Sequence, residues 1–212
     1  METQSLSVPE AIRTRRTVRH YRPDPVDPAV LEEVLELAVQ APSAWNMQDR
    51  SIVVVTSAAG RERLSQAAFS QPQPREAPVA LVFVADATAW EAPNTDIAAT
   101  AERNGAWNSE FTALFDSRVE YHNLRNRGLL RENAVKNAMI AATYTMLAAA
   151  SLGLASAPMN GWDADLVKRA IGIEDRDHLA IAVIVTIGYA ATDPKHPGRR
   201  DRDRIVFTER YS

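Results

Sequence analysis

The residues best suited to chemistry are arginines near the start of the chain. Within residues 13–22 there are five of them, Arg13, Arg15, Arg16, Arg19 and Arg22. Guanidinium groups bind phosphate and carboxylate oxygens through paired hydrogen bonds, so this cluster predicts an anion site. A solvated basic surface, or an arm that binds nucleic acid, fits the same residues equally well.

Two further polar clusters follow at predicted element boundaries. Residues 42–48 place the hydroxyl of Ser43 and the amides of Asn46 and Gln48 between a helix and a strand. Residues 158–163 leave a strand, turn at a glycine and enter a helix. Each cluster could serve a ligand, but a capped turn explains the first of these two and a plain strand-to-helix loop explains the second.

Several kinds of active site are excluded by what the sequence lacks. The chain has no cysteine, which removes disulfides, thiolate metal sites and cysteine nucleophiles. Its eight glycines form neither the dinucleotide-binding fingerprint nor the phosphate-binding loop of nucleotide hydrolases. No serine stands in a nucleophile elbow, and the four histidines lack metal-ligand spacing, so we expect no metal site, and the usual signatures of a catalytic side chain are absent.

Composition places these clusters in a single globular domain spanning residues 1–212. The chain is 46% hydrophobic and 24% charged, and its net charge of −3 argues against a globally basic nucleic-acid binder. The N-terminal segment has no apolar core, and glycine and proline interrupt the longest uncharged stretch, residues 137–162. We therefore expect a cytoplasmic protein with no signal peptide and no membrane span.

Hydrophobic patterning predicts the elements that position the clusters. Helices are predicted over residues 8–15, 28–40, 58–68, 131–152 and 164–171, and strands over residues 51–56, 79–85, 154–158 and 179–187. The strand segments do not alternate, which favours a sheet covered on both faces. Residues 88–130 are expected to form a helical excursion, and the apolar triplet at 205–207 in the basic tail, residues 194–212, could pair as an edge strand.

The order of the clusters resembles the FMN-dependent nitroreductase family over nearly the whole chain. An Arg-Arg-Thr-x-Arg turn is followed by Pro-Ser-x-x-Asn-x-Gln, Pro-Met-x-Gly-Trp-Asp and a basic tail. The resemblance implies an α+β nitroreductase-like fold, with a central mixed β-sheet flanked by helices. It also implies an intertwined homodimer with FMN at the subunit interface.

The resemblance assigns cofactor roles to the first and third clusters. Arg15, Arg16 and Thr17 would bind the FMN phosphate, and Arg19, where some branches have Lys, would reach the N1/O2 edge of the flavin. The strand-to-helix loop would lie on one face of the isoalloxazine, with a backbone N–H, that of Asn160, donating to N5; this loop comprises Pro158, Met159, Asn160 and Gly161.

The other family positions come from the second cluster, the tail and the segment around residue 71. Ser43, Ala44, Asn46 and Gln48 would reach the FMN of the partner subunit. Ala44 stands where many relatives have a second Ser, and Asp49-Arg50 replaces their Pro-Trp. Further contacts are implied for Arg199 and Arg200 at the phosphate, and for Ser70, Gln71 and Gln73 at the pyrimidine edge, although a surface loop is an alternative for these last three.

As a function, the resemblance implies a ping-pong oxidoreductase with NAD(P)H as co-substrate. A hydride would pass through flavin N5 to a nitroaromatic, a quinone or a similar small electron acceptor. Aromatic residues of the excursion would wall the substrate pocket or form its core, namely Trp107, Phe111, Phe115 and Tyr121. An FMN-binding sensor or carrier without turnover is the main alternative, while nucleic-acid and membrane partners are not expected.

Overall fold

The computed structural model of the chain describes residues 5–211. The first four residues of the N-terminal segment, and Ser212 at the end of the expected single domain, lie outside that range. The described helices are α1 (Val8–Thr14), α2 (Pro28–Val39), α3 (Ala58–Ala67), α4 (Gln73–Glu76), α5 (Thr95–Arg103), α6 (Ser109–Ser117), α7 (Val119–Asn126), α8 (Leu130–Ser151) and α9 (Ala164–Ile171). The described strands are β1 (Arg50–Val55), β2 (Val79–Asp86), β3 (Ala155–Met159) and β4 (Leu179–Gly188).

The four strands form one sheet in the order β1-β2-β4-β3, and every neighbouring pair is antiparallel. The α+β fold is therefore confirmed, but the sequence-based expectation of a mixed sheet needs correction for the described chain. The parallel component there is a single isolated bridge between Thr17 and Ser156. The connections between paired strands contain helices: α3 and α4 lie between β1 and β2, and α9 lies between β3 and β4.

Both faces of the sheet are covered, as the unalternated strands predict. Leu81 and Phe83 pack toward α2 and α8 on one face, while Val82 and Ile184 pack toward α3 and α9 on the other. Phe83, Leu81 and Ile184 have no exposed surface. Burial of each such side chain stabilises the fold by about 1.5–3 kcal/mol, so the two central strands are a rigid base for the loops at their ends.

The central helix α8 is lined with alanine where it crosses the sheet. Ala138, Ala141, Ala142 and Ala149 are fully buried there, and these small side chains let the helix approach the strands closely. On its outer side, Ile140 and Tyr144 remain 37% and 41% exposed. The helix therefore holds the core with one side and presents an apolar surface with the other.

The tail does not form the edge strand that its apolar triplet suggested. A short 3-10 turn covers Arg202–Arg204, and Ile205 and Val206 follow it with 56% and 48% of their surface exposed. Within the described chain these residues pair with no strand, and the sheet consists of β1, β2, β4 and β3 alone. The prediction of a paired strand is thus wrong for the single chain.

Candidate functional site

Arginines 15 and 16 are placed by the end of α1. A capping box between Ser7 and Glu10 starts this helix, and Arg15 is its C-cap. The chain then runs alongside β3, where the N–H of Val18 donates to the carbonyl of Ser156 over 3.2 Å. This pairing fixes the Arg-Arg-Thr turn next to the strand that leads into the third cluster, so the structure brings the first and third clusters together.

Arg15, Arg16 and Arg199 carry positive charge that no described carboxylate neutralises through an ion pair. Arg15 is half-buried, and its buried Nη1 has no hydrogen-bond partner in residues 5–211. Burial lowers the pKa of Arg15, and the nearby charges of Arg199 and Arg16 lower it further. An unpaired donor among like charges is unfavourable without a counter-charge, so the site fits an anion.

Two other basic groups near this cluster differ in how they are held. Arg16 donates from Nη1 to the carbonyls of Arg13 (2.7 Å) and Arg15 (3.0 Å), which ties its guanidinium to the end of α1. His196 in the tail is exposed. Partial loss of solvent is the larger cause that lowers its pKa, and the charges of Arg16 and Arg199 lower it further. The tail therefore reaches the cluster through Arg199, as predicted, and through His196, which the sequence-based assignment missed.

Arg19 and Arg200 are less constrained than the rest of the predicted site. Both side chains are exposed, and neither forms a hydrogen bond or an ion pair with another described residue. Thr17 is half-buried at its bridge with Ser156. Their assigned roles remain predictions that rest on motif position.

The third cluster divides between a strand and a loop. Pro158 and Met159 are the last residues of β3, and the Met159 side chain is buried in the core, so only its backbone can face a ligand. Asn160 and Gly161 form the exposed turn that precedes α9. The N–H of Asn160 has no hydrogen-bond partner among the described residues, which leaves it available as the predicted donor.

The segment around residue 71 lies against that turn. The side-chain amide of Gln71 donates to the carbonyl of Gly161 over 2.8 Å. The hydroxyl of Ser65 donates to the carbonyl of Gln71, also over 2.8 Å. Ser70 precedes it with a left-handed backbone, φ +59°. The short helix α4 was not predicted from the sequence, because two prolines lie at its start. The surface-loop alternative is wrong for Gln73, which is the first residue of α4 and is buried.

Gln73 provides a second unpartnered polar atom. The residue is only 6% exposed, and its Oε1 finds no donor among residues 5–211. A buried carbonyl oxygen without a donor costs free energy unless a ligand supplies one. Arg15 in the first cluster thus leaves a donor without a partner, and Gln73, two residues after the Gln71 that contacts the third cluster, leaves an acceptor without one.

The second cluster lies elsewhere on the chain. Its Ala44 N–H donates to Asn137 Oδ1 over 3.1 Å, near the start of α8, while the groove beside Arg15 is lined by Ala150 near the end of that helix. At 1.5 Å per residue, the 13 positions between them span about 20 Å. Ser43, Asn46 and Gln48 are therefore not brought to the arginine cluster of their own chain.

An aromatic group connects the second cluster to the excursion. The ring of Trp45 stacks on Phe111 with centroids 5.5 Å apart, and Trp107 lies against both Phe111 and Phe115 at 4.9 Å. Phe115 and Tyr121 are buried, so they form the excursion's core, whereas Phe111 is 37% exposed. Trp45 and Phe111 are thus the aromatic residues of this group best placed to meet a ligand.

Two buried residues near the second cluster escaped the sequence-based assignment. Asp49 is 3% exposed and accepts hydrogen bonds from Asn137, which is 88 positions away along the chain. The available signal was the position of Asp49, directly after the Pro-Ser-x-x-Asn-x-Gln motif.

Residues 5–211 hold neither a group of potential metal ligands nor a helix long and apolar enough to cross a membrane.

Comparisons with known proteins cover almost the whole chain. The model of the family described as "Nitroreductase family" matches residues 12–189. An NADH dehydrogenase of Thermus thermophilus is 33% identical over 205 residues, covering 95% of this chain and 96% of its own. The Bacillus subtilis protein MhqN, named as a candidate NAD(P)H nitroreductase, is 30% identical over 82% of this chain and 83% of its own.

A solved structure shows the same fold. The crystal structure of a candidate nitroreductase in complex with FMN from Exiguobacterium sibiricum superposes with a TM-score of 0.83. Its sequence is 22% identical, and the alignment covers 99% of this chain and 100% of that one.

Proposed function

The chain belongs to the nitroreductase family, and on that basis we propose that it is an FMN-dependent oxidoreductase. Its electron donor would be NAD(P)H, and its acceptors would be nitroaromatics, quinones or similar conjugated electrophiles. The relatives named as NADH dehydrogenase and NAD(P)H nitroreductase support this choice of donor.

The observation that carries the proposal is the unpartnered guanidinium nitrogen of Arg15. It lies in a cluster with Arg16 and Arg199, which has no ion-paired carboxylate in the described chain. The FMN phosphate is a dianion that accepts several charge-assisted hydrogen bonds, so it would supply the missing partner. We assign Arg15, Arg16, Thr17 and Arg199 to the phosphate, with Arg200 available beside them.

The other end of FMN would meet Gln73 and the turn after β3. The flavin ring carries an imide N–H, and the orphaned Oε1 of Gln73 is a fitting acceptor for it. The exposed turn at Asn160 and Gly161 offers a free backbone N–H to the ring. Gly161 is held by Gln71, and an added Cβ there would lie only 3.1 Å from the Gln71 amide, so this turn stays close to the polar segment.

Bound FMN would supply hydride transfer from NAD(P)H to the acceptor, a reaction that needs no nucleophile from the protein. The chain's own residues would bind FMN, orient it and stabilise the charge that develops on it. Arg19 would place a positive charge beside the N1/O2 edge and stabilise the negative charge that develops there. Phe111 and Trp45 would stack against an aromatic acceptor and exclude water from it.

The proposed site is incomplete without a second copy of the chain. The loop of Ser43, Asn46 and Gln48 is tied to Asn137, and the arginine cluster lies beside Ala150, about 20 Å away along α8. We therefore infer that these three residues serve an FMN across a subunit interface. An apolar face suits that contact, since Val8 and Leu37 are 64% and 39% exposed beside Tyr144. A groove of about 580 Å³ runs between α1, α2 and α8 on this face.

The proposal is tested by the visible spectrum of the purified protein with added FMN. We expect bound flavin that bleaches with NADH or NADPH under anaerobic conditions and regains its colour with a quinone. A sensor or carrier would bind FMN but would not complete this cycle. A protein that binds no FMN would refute the proposal, and salt-dependent affinity for nucleic acid would then favour the basic-arm alternative.

The assembly is tested by light scattering of the Tyr144→Lys variant. A lysine in the middle of the apolar face should convert a dimer to monomer and release FMN. Leu166→Lys is the matched control, because Leu166 is 42% exposed on α9, away from this face. A monomeric wild-type protein that binds FMN tightly would contradict the shared site.

A further inference from the structure

The loop of the second cluster is held in a strained conformation. Trp45, Asn46 and Gln48 have φ angles of +55°, +50° and +52°, in the left-handed region that favours glycine. Each such residue costs about 1–3 kcal/mol, so the surrounding structure must impose the conformation. Within the loop, Ser43 helps by accepting the N–H of Gln48 at 2.9 Å.

Ala44 is fixed from outside the loop at both of its backbone groups. Its N–H donates to Asn137 Oδ1 over 3.1 Å, and its carbonyl accepts from the Tyr121 hydroxyl over 3.2 Å. Burial raises the pKa of Tyr121, which keeps its hydroxyl protonated and able to donate. Helices α7 and α8 thus clamp the residue next to Ser43.

The carboxylate of Asp49 determines which way the Asn137 amide faces. Asn137 Nδ2 lies 2.8 Å from one carboxylate oxygen of Asp49 and 3.0 Å from the other. A carboxylate only accepts, so the amide must point its NH2 at Asp49 and its oxygen away from it. That oxygen is the one that receives the Ala44 N–H.

The charge of Asp49 is only partly compensated. Burial raises its pKa, while hydrogen bonding from Asn137 and from the backbone of Asp49 itself opposes the shift. The charge of Arg50 also opposes the upward shift of this pKa, although the Arg50 side chain donates a hydrogen bond to the Ala41 carbonyl. The charge of Asp86 raises the pKa further. A buried carboxylate that is only partly compensated is costly, which argues for a role beyond packing.

We propose that Asp49 and Asn137 are positioning residues for the cofactor loop. By orienting the Asn137 amide, Asp49 holds Ala44 and thereby presents Ser43, Asn46 and Gln48 to the FMN of the partner subunit. The proposal rests on the proposed function, because these three side chains matter only if FMN binds at the interface. Because Asp49 and Asn137 are 3% and 4% exposed, they would act through the loop and not by contact with the cofactor.

A double-mutant cycle separates this role from packing. Asn137→Ala removes the acceptor for Ala44, and it should weaken FMN binding about tenfold, the effect of losing one buried hydrogen bond. It also leaves Asp49 buried without a partner, so stability should fall. Adding Asp49→Ala should restore stability but not FMN affinity, because Asp49 acts only through Asn137.

A rescue variant reverses the pair. In Asp49→Asn combined with Asn137→Asp, the new amide donates to the new carboxylate, whose second oxygen accepts the Ala44 N–H. FMN affinity should return to within about threefold of wild type. Thr145→Val is the control for changes in α8, since among residues 5–211 its buried hydroxyl bonds only to the Ala141 carbonyl of the same helix.

Hydrogen exchange of the Ala44 N–H without FMN tests the clamp independently of the cofactor. Exchange should accelerate at least tenfold in Asn137→Ala and in its double variant with Asp49→Ala, and should be protected again in the rescue variant. The proposal is overturned if FMN affinity recovers together with stability in the Asp49→Ala double variant, or if the rescue variant stays as weak as Asn137→Ala. If wild-type protein binds no FMN while Ala44 is protected as expected, the proposed function fails and the clamp itself stands.

Discussion

Removal of the Arg15 guanidinium should weaken FMN binding without unfolding the protein. In Arg15→Ala the phosphate loses a charge-assisted hydrogen bond worth about 2 kcal/mol, which corresponds to about a 30-fold weaker affinity. At an FMN concentration of about 100 times the wild-type dissociation constant, the ligand stabilises the wild type by about 2.7 kcal/mol and the variant by only about 0.9 kcal/mol. The apo-protein should keep its stability, because Arg15 is a partly buried charge whose pKa is already lowered by burial, Arg199 and Arg16.

Titration with FMN and with riboflavin, which has no phosphate, distinguishes a phosphate contact from a general defect. The expected loss applies to FMN alone, and thermal unfolding with and without FMN provides the stability values. Arg13→Ala is the matched control, since this side chain is exposed two positions earlier. Equal losses of FMN and riboflavin affinity, or a large loss of apo stability, would show that Arg15 has a different role.

Three further predictions follow from other parts of the structure. Phe111→Ala should raise the KM for nitroaromatic acceptors several-fold and leave FMN affinity unchanged, because Phe111 extends the Trp45 stack; steady-state kinetics checks this. Burial raises the pKa of Asp49 above its value in the unfolded chain, so the folded state binds a proton on this carboxyl group more tightly than the unfolded state does. The contribution of Asp49 to the free energy of unfolding therefore declines as pH rises above about 4. Urea unfolding of wild type and Asp49→Ala should show the wild type losing stability relative to the variant over that rise. Gly188→Ala should destabilise the fold by about 1–3 kcal/mol in the same assay, since the added Cβ would lie 2.5 Å from Pro78 Cδ.

Local patterns were sufficient to predict most elements of the fold. The predicted helices over 28–40 and 164–171 are specified by neighbouring residues: the Asp27 side chain accepts the Ala29 N–H at the start of α2, and Gly172 is the C-cap of α9. The mixed sheet and the tail strand failed because strand pairing depends on partners far along the chain. The triplet 205–207 has the composition of a strand, but composition does not determine whether a strand with which it can pair lies beside it.

The candidate site divides in the same way. Arg15 and Arg16 could be singled out from a dense local motif, and the structure places the turn that carries them beside β3. Their role at the FMN phosphate stays a prediction. The buried contact between Asp49 and Asn137 could not be predicted, since it joins residues 88 positions apart. His196 was missed because its relation to the arginines arises only when the tail folds back, and a lone histidine in an exposed segment carries no local signal.

The length of α8 links the assembly to the chemistry. The helix separates the second cluster from the arginine cluster by about 20 Å, and its outer side carries the exposed Tyr144 between them. In a two-fold symmetric dimer the same surface meets itself, so two such helices packed antiparallel would place the start of one beside the end of the other. Each arginine cluster would then face the loop of the other subunit, and two equivalent FMN sites would form together. Dimer formation and cofactor binding would therefore be coupled: FMN would strengthen the dimer by the same free energy by which dimer formation strengthens FMN binding.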